Sequence, residues 1–115
     1  MLTMNDDLEG ALEEYLRLME AKEYFEAHEV LEEAWHPLRL ADHPLKNLVK
    51  GFINGAVSFE HLKRNRKNAD KKARRVMASY ERHICLYNEE IEYATLFLEA
   101  RQKIEKLKLQ YPGVF

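Results

Sequence analysis

The chain is poor in glycine, proline and cysteine, with four, three and one of these residues in 115. So few glycines and prolines argue against a loop-rich or disordered protein. The single cysteine, Cys85, excludes an intramolecular disulfide and a multi-cysteine metal site within one chain, and it fits a reducing compartment. No apolar run is long enough to span a bilayer, because the longest, residues 48–59, is short and interrupted. Residues 1–7 lack the basic and apolar regions of a secretory signal, so we expect a cytoplasmic protein.

The chain also lacks a strong excess of either charge, with a formal net charge of -2 and a pI of about 6.2. It therefore has no overall basic charge to attract nucleic acid or a membrane. One basic run, Lys63 to Arg75, stands out but has no interleaved aromatic residues. We interpret it as a solvated surface, with weak phosphate contact as the alternative. The expected partner is a small molecule or a protein, including a second copy of this chain as a homodimer.

Apolar residues recur three and four positions apart along most of the chain, which predicts helices rather than strands. We predict a single all-α domain over residues 1–115, a compact bundle of about five helices with the third helix central. In that helix Gly51, Gly55 and Ser58 form a stripe of small residues, which predicts close approach by another helix. The fourth and fifth helices could instead form one long bent helix. Expected ranges are about 6–22, 24–35 (ended by Pro37), 45–64, 69–87 and 88–110.

The most informative segment is residues 24–36, which holds two histidines and four glutamates in one amphipathic pattern. At about 100° per residue, His28, Glu32 and His36 share one edge of the apolar stripe of a helix. Glu29 lies beside them. This placement predicts a ligand site, a metal site or a half-buried polar network, and the residues by themselves leave the three open.

A metal site is chemically reasonable on this helix. The pattern is H-E-x-x-E and differs from the zinc signature H-E-x-x-H, because Glu32 stands where the second histidine belongs. His28 and Glu32, with His36 or His61, still offer nitrogen and oxygen ligands that suit zinc, manganese or iron. Glu29 would then act as the general base toward a metal-bound water. A divalent metal is therefore the one candidate cofactor.

A second polar stripe lies on the third helix, where Lys50, Asn54 and His61 interrupt an otherwise apolar surface. A lysine beside a glutamate-rich helix predicts an ion pair, with Glu29 or Glu32 as the partner. The functional interpretation places these groups across a cleft from the histidine of the second helix. The alternative is a strip that simply faces solvent.

Two side chains on the apolar faces need an explanation of their own. Trp35 lies in the apolar stripe of the second helix, where it most simply anchors the core. Glu60 projects between Val49 and Ile53 on the apolar side of the third helix, and an unpaired buried carboxylate is costly. We therefore expect Glu60 to lie near the helix end in water, with an ion pair or a metal as alternatives.

Residues 24–35, Tyr-Phe-Glu-Ala-His-Glu-Val-Leu-Glu-Glu-Ala-Trp, resemble the signature of domain-of-unknown-function family 309. The family's second motif, Lys-Gly-x-Ile-Gln-x-Ala followed by a histidine, is similar to residues 50–56 followed by His61. Asn54 replaces the family's glutamine, which keeps the amide and shortens its reach. The resemblance implies a small all-helical bundle with the two motif helices in contact. It also implies as signature positions His28, Glu29, Glu32 and Trp35, with Lys50, Gly51 and Asn54 opposite them.

Two functions follow from these patterns. The first is a non-enzymatic binding or interaction module, in which the His/Glu/Lys cluster is structural or binds a small ligand. The second is a metal-dependent hydrolase, with His28 and Glu32 as ligands and Glu29 as the base. The family is sometimes described as a predicted metal-dependent hydrolase, but that description rests on the same His/Glu motif.

Overall fold

Helix α3 forms the centre of the protein, and helices α2 and α4 pack along two of its sides. The structure is a computed structural model that describes residues 4–115, with side chains from residue 8 onward. Helix α1 packs against α2 and α5. Residues 4–115 contain no strand, which confirms the predicted all-α bundle of five helices. The helices are α1 (Met4–Glu20), α2 (Tyr24–Leu40), α3 (Lys46–Arg64), α4 (Ala69–His83) and α5 (Ala94–Lys108).

Aromatic contacts around Phe52 join α3 to three other helices. Its ring lies edge-on to Tyr15 of α1, 5.6 Å from Tyr80 of α4 and 5.7 Å from Phe97 of α5. The Tyr15 hydroxyl also donates a 2.8 Å hydrogen bond to the Phe52 carbonyl. Burial holds the pKa of Tyr15 well above its usual range, so this hydroxyl stays a donor. Each buried aromatic ring of this kind contributes about 1.5–3 kcal/mol through the apolar area that it removes from water.

The small residues of α3 let its neighbours approach closely, as the sequence predicted. A Cβ atom on Gly51 would lie 3.4 Å from the Tyr80 Cα, and one on Gly55 would lie 2.7 Å from the Ile104 Cδ1. The Ser58 hydroxyl donates a 2.8 Å bond to the Ala73 carbonyl of α4. This stripe is buried inside the chain, so it is not an exposed surface for a dimer.

Helix α2 continues through Pro37 to Leu40, so the prediction that Pro37 ends it is wrong. Leu38 is fully buried, and burying a leucine contributes about 1.5–3 kcal/mol, which offsets much of the ~3 kcal/mol cost of an interior proline. Two residues beyond the last helical residue, Leu40, Asp42 adopts a left-handed conformation with φ 52°. The His43 amide then donates back to the Leu38 carbonyl at 2.9 Å, closing a Schellman motif.

Helix α5 begins at Ala94, later than the predicted start at Asn88, and a break separates it from α4. The Asn88 side chain accepts a 2.7 Å bond from the Glu90 amide, which fixes a local turn in place of a helix start. The buried face of α5 therefore contains Phe97 and Ala100, whereas Leu98 is 37% exposed. The predicted alternative of one long bent helix is excluded.

The C-terminal residues fold back onto α3. Val114 is buried, and the Phe115 ring lies 5.8 Å from the Phe59 ring. The Tyr111 ring lies 6.1 Å from the same Phe59 ring. This segment thus covers the core of its own chain. None of the described helices is long and apolar enough to cross a membrane.

Candidate functional site

One edge of α3 remains uncovered between α2 and α4. Lys50, Asn54, Val57, His61 and Arg64 follow one another at intervals of four and three, so they lie on one line along the helix. The first four are half-buried and Arg64 is exposed, whereas the other residues between Leu48 and Leu62 are buried except for Glu60. The polar stripe that the sequence predicted is therefore the open edge of the central helix.

A groove opens where this edge meets the start of α2. It has a volume of about 190 Å³ and combines apolar and polar walls. Phe25, which is 40% exposed, and Val57 supply the apolar surface. The His28 ring stands edge-on to the Phe25 ring with their centroids 5.1 Å apart. The lining residues are Phe25 and His28 from α2, and Val57, Glu60, His61 and Arg64 from α3.

The hydrogen bonds of His28 run along its own helix. Its Nδ1 atom lies 2.7 Å from the Phe25 carbonyl oxygen, and since a carbonyl only accepts, Nδ1 carries the proton. That bond orients the ring and leaves the Nε2 atom 3.8 Å from a Glu32 carboxylate oxygen. No hydrogen bond joins His28 to a neighbouring helix among the described residues. The polar network between helices that the sequence allowed is therefore not formed here.

Glu60 lies near the end of α3, as expected, and it forms the ion pair that the sequence left open as an alternative. Its carboxylate accepts a 2.7 Å bond from the Arg64 guanidinium, one helical turn away, and its side chain is only 17% exposed. The guanidinium also lies 5.7 Å from the centroid of the Phe25 ring. Arg64 thus connects the apolar wall of the groove to its carboxylate.

A buried hydroxyl lies near the same carboxylate. Burial raises the pKa of Tyr24 to about 12, and the nearby Tyr111 and Glu60 add to the rise. The hydroxyl is buried and has no hydrogen-bond partner among the described residues. An unsatisfied buried hydroxyl is costly, so this position holds a donor that the free protein does not use.

His61 is held as a neutral ring. Its pKa is lowered first by partial burial and then by the positive charges of Lys72 and Arg64, with Glu60 acting in the opposite direction. A neutral imidazole has one donor and one acceptor nitrogen. His61 therefore offers hydrogen-bonding capacity to the groove without adding charge at neutral pH.

Trp35 and Lys50 form a separate contact further along the α2–α3 edge. The Lys50 ammonium lies 4.4 Å from the centroid of the Trp35 ring, and the Arg39 guanidinium lies 5.3 Å from it. Among the described side chains no carboxylate pairs with Lys50, so the predicted ion pair with Glu29 or Glu32 is wrong. Trp35 is half-buried and acts as a platform for two cations.

Asn54 belongs to a third contact, between α3 and α4. Its amide nitrogen donates a 2.8 Å bond to the Ser79 hydroxyl. The predicted site residues therefore divide into four groups. His28 and His61 line the groove, Lys50 lies over the Trp35 ring, and Asn54 ties α3 to α4. Glu29, Glu32 and His36 lie outside the groove, on the acidic side of α2.

The acidic side of α2 bears on the metal prediction. His28, Glu29, Glu32, Glu33 and His36 line one shallow depression on this helix. The His36 ring lies 5.3 Å from the Trp35 ring. Within residues 8–115, no group of three or more His, Cys, Asp or Glu side chains is arranged to hold a metal ion. The His28–Glu32 pair is the part of the predicted ligand set that lies close together.

Sequence reasoning missed several groove residues. The sequence motifs assign no site role to Phe25 or Val57. Arg64 was assigned to the basic run. The spacing of Val57 and Arg64 from Lys50, Asn54 and His61 is the sequence signal that would have placed them on the same edge.

Together, the central helix, its open polar edge and the adjoining motif helix define an all-α bundle with a mixed apolar and polar groove. A family model described as "Domain of unknown function (DUF309)" matches residues 12–73, which contain both motif helices. The chain belongs to the DUF309 family. Comparisons with curated proteins and with solved structures found no match.

We expect Lys72→Gln to raise the pKa of His61, because the positive charge of Lys72 lowers it. Proton NMR of the His61 ring during a pH titration measures this. Since the folded state disfavours the protonated ring, the unfolded state binds more protons, and stability is lost as pH falls below about 6.5. Lys71→Gln is the matched control and leaves the pKa of His61 unchanged. Equal shifts in the two variants would contradict the assignment.

Proposed function

We propose that this protein is a non-enzymatic binding module whose ligand occupies the groove between α2 and α3. The observation that supports this most directly is that two helices present polar atoms there which the fold leaves unused. The His28 Nε2 atom has no bond to another helix, and the neutral His61 ring faces the same groove. Binding sites combine apolar walls with a few such polar groups.

A purely structural role for the polar residues has less support. The bond from His28 to the Phe25 carbonyl lies within one turn of α2, where a helical carbonyl already accepts from the amide four residues later. The Glu32 side chain is 41% exposed and makes a surface pair worth at most about 1 kcal/mol. The fold therefore gains little from either residue.

The groove best fits a small molecule with an apolar ring and a carboxylate. Phe25 and Val57 would contact the ring, and Arg64 would bind the carboxylate through its planar set of donors. Arg64 is paired with Glu60 in the free protein. We expect the Tyr24 hydroxyl, whose pKa the nearby Glu60 raises, to turn to that carboxylate when Arg64 turns to the ligand.

Titration of ¹⁵N-labelled protein with aromatic carboxylates, such as phenylacetate and indole-3-acetate, tests this proposal. We expect saturable shifts of the amides around Phe25, Val57 and His61. Phe25→Ala removes one wall and weakens binding at least about tenfold, equivalent to about 1.4 kcal/mol. Leu98→Ala is the matched control, because Leu98 is similarly exposed on α5 and lies outside the groove.

Tyr24→Phe tests whether the Tyr24 hydroxyl replaces Arg64 as the partner of Glu60 when the ligand binds. The variant removes an unsatisfied hydroxyl, so we expect unchanged or increased stability together with weaker carboxylate binding. Amide shifts that spread over the whole chain, or binding that Phe25→Ala leaves unchanged, would contradict the proposed site.

A metal-dependent hydrolase is the second candidate, supported by the geometry of one pair. The Nδ1–H bond to a carbonyl fixes the His28 tautomer, which leaves Nε2 as a metal ligand close to Glu32. Glu29 would serve as the base beside them, and His36 or His61 as a further ligand after a rotamer change. A cytoplasmic location and a homodimer stay predictions under either function.

Elemental analysis of untagged protein, with thermal melting before and after chelation, tests the hydrolase. It predicts about one zinc, manganese or iron ion per chain and a melting temperature that falls when the metal is removed. Protein that contains no metal and shows no thermal shift with these ions would remove this candidate.

A further inference from the structure

Positive charge is concentrated at the corner where α3 turns into α4. Residues 63–75 contain eight Lys and Arg residues against one acidic residue, whereas the rest of the chain contains ten against nineteen. The net charge of -2 is therefore the sum of a strongly basic segment and an acidic remainder of the chain. A local concentration of one sign creates a field that attracts the opposite charge.

Most of these cations are exposed and unpaired. Lys63 donates to the Lys22 carbonyl and Arg64 pairs with Glu60, but the other six have no carboxylate partner among the described side chains. On α4 they lie opposite the buried face formed by Ala73, Met77 and Tyr80. The six, which we call the basic corner, are Arg66, Lys67, Lys71, Lys72, Arg74 and Arg75.

We propose that the basic corner binds the phosphate backbone of duplex nucleic acid, independently of base sequence. This inference does not depend on the groove. It differs from the expectation, based on the net charge, that the protein does not attract nucleic acid. When unpaired Lys and Arg side chains contact phosphates, the duplex releases the counterions condensed on it. This release supplies the binding free energy. Four of the six cations lie on the exposed side of α4 and the other two lie in the turn before it, so the six form one continuous basic stretch.

The surroundings of the basic corner argue against the other polyanions. Helices that bind membranes usually combine basic residues with apolar side chains that insert, yet Leu62, Ala69 and Ala73 are all buried here. Single strands are held by aromatic stacking, and residues 62–79 contain no aromatic residue. A duplex backbone requires only the cations that this surface presents.

Fluorescence anisotropy of a labelled 20-base-pair duplex of arbitrary sequence, titrated with the full chain at about 50 to 200 mM salt, tests the proposal. We expect a dissociation constant below about 100 µM at the lowest salt. A plot of the logarithm of the association constant against that of the salt concentration should have a slope of about -3 or steeper. A second duplex of unrelated sequence should bind equally well.

Arg74→Gln combined with Arg75→Gln should weaken binding at least about tenfold at the lowest salt and flatten the slope by about 2. The matched control combines Arg101→Gln with Lys106→Gln, two exposed cations of α5, and changes the net charge by the same amount. All these side chains are exposed, so melting temperatures should not change. Equal loss in the two double variants would overturn the proposal, because only net charge would then matter.

Other results would also overturn it. They are no binding at low salt, binding that salt does not weaken, and binding to phosphatidylserine vesicles without binding to the duplex. Amide shifts on duplex addition that fall outside residues 66–75 and their neighbours would do the same.

Discussion

The rest of the structure depends on the burial of α3, and above all on Phe52. Its ring contacts Tyr15, Tyr80 and Phe97, which come from three different helices, and its carbonyl accepts the Tyr15 hydroxyl. On an adjoining side, Gly51 lets α4 come within contact of the α3 backbone. On another side, the Tyr24 ring of α2 lies 5.7 Å from the Phe59 ring of α3. These contacts cover most of α3 and leave one narrow edge open.

Along that open edge, some polar side chains hold helices together and others make no contact that stabilises the fold. The Asn54 amide donates a hydrogen bond to Ser79, and the Lys50 ammonium lies over the Trp35 ring, so both side chains help to hold helices together. His28 and His61 make no such bond, yet they are positioned by rigid, well-packed helices. Polar groups that are well oriented and not needed for stability are the usual components of a binding site. The same helices place the basic corner at the start of α4, next to the end of α3.

The sequence was informative wherever periodicity alone decides the outcome. The spacing of His28 and Glu32 placed them on one helix edge, and the glycines of α3 indicated the close approach of a neighbour. It was less informative where tertiary contacts compete with local preference. Because Leu38 is buried, α2 continues beyond Pro37. Because the Asn88 side chain forms a local turn, α5 begins later in the sequence than predicted. The partner of Lys50 was also unpredictable, because an indole ring and a carboxylate both attract a lysine and only the packing of α2 on α3 chooses between them.

The central claim is that the fold does not use the polar side chains of His28, which lines the groove, and of its neighbour Glu32. The most direct test is the free energy of unfolding, from urea denaturation, of the double variant His28→Ala with Glu32→Ala. The account predicts a loss below about 1 kcal/mol, since both side chains are partly exposed and bond within one helix. A loss above about 2 kcal/mol would show that these residues hold the fold together, and would contradict the account.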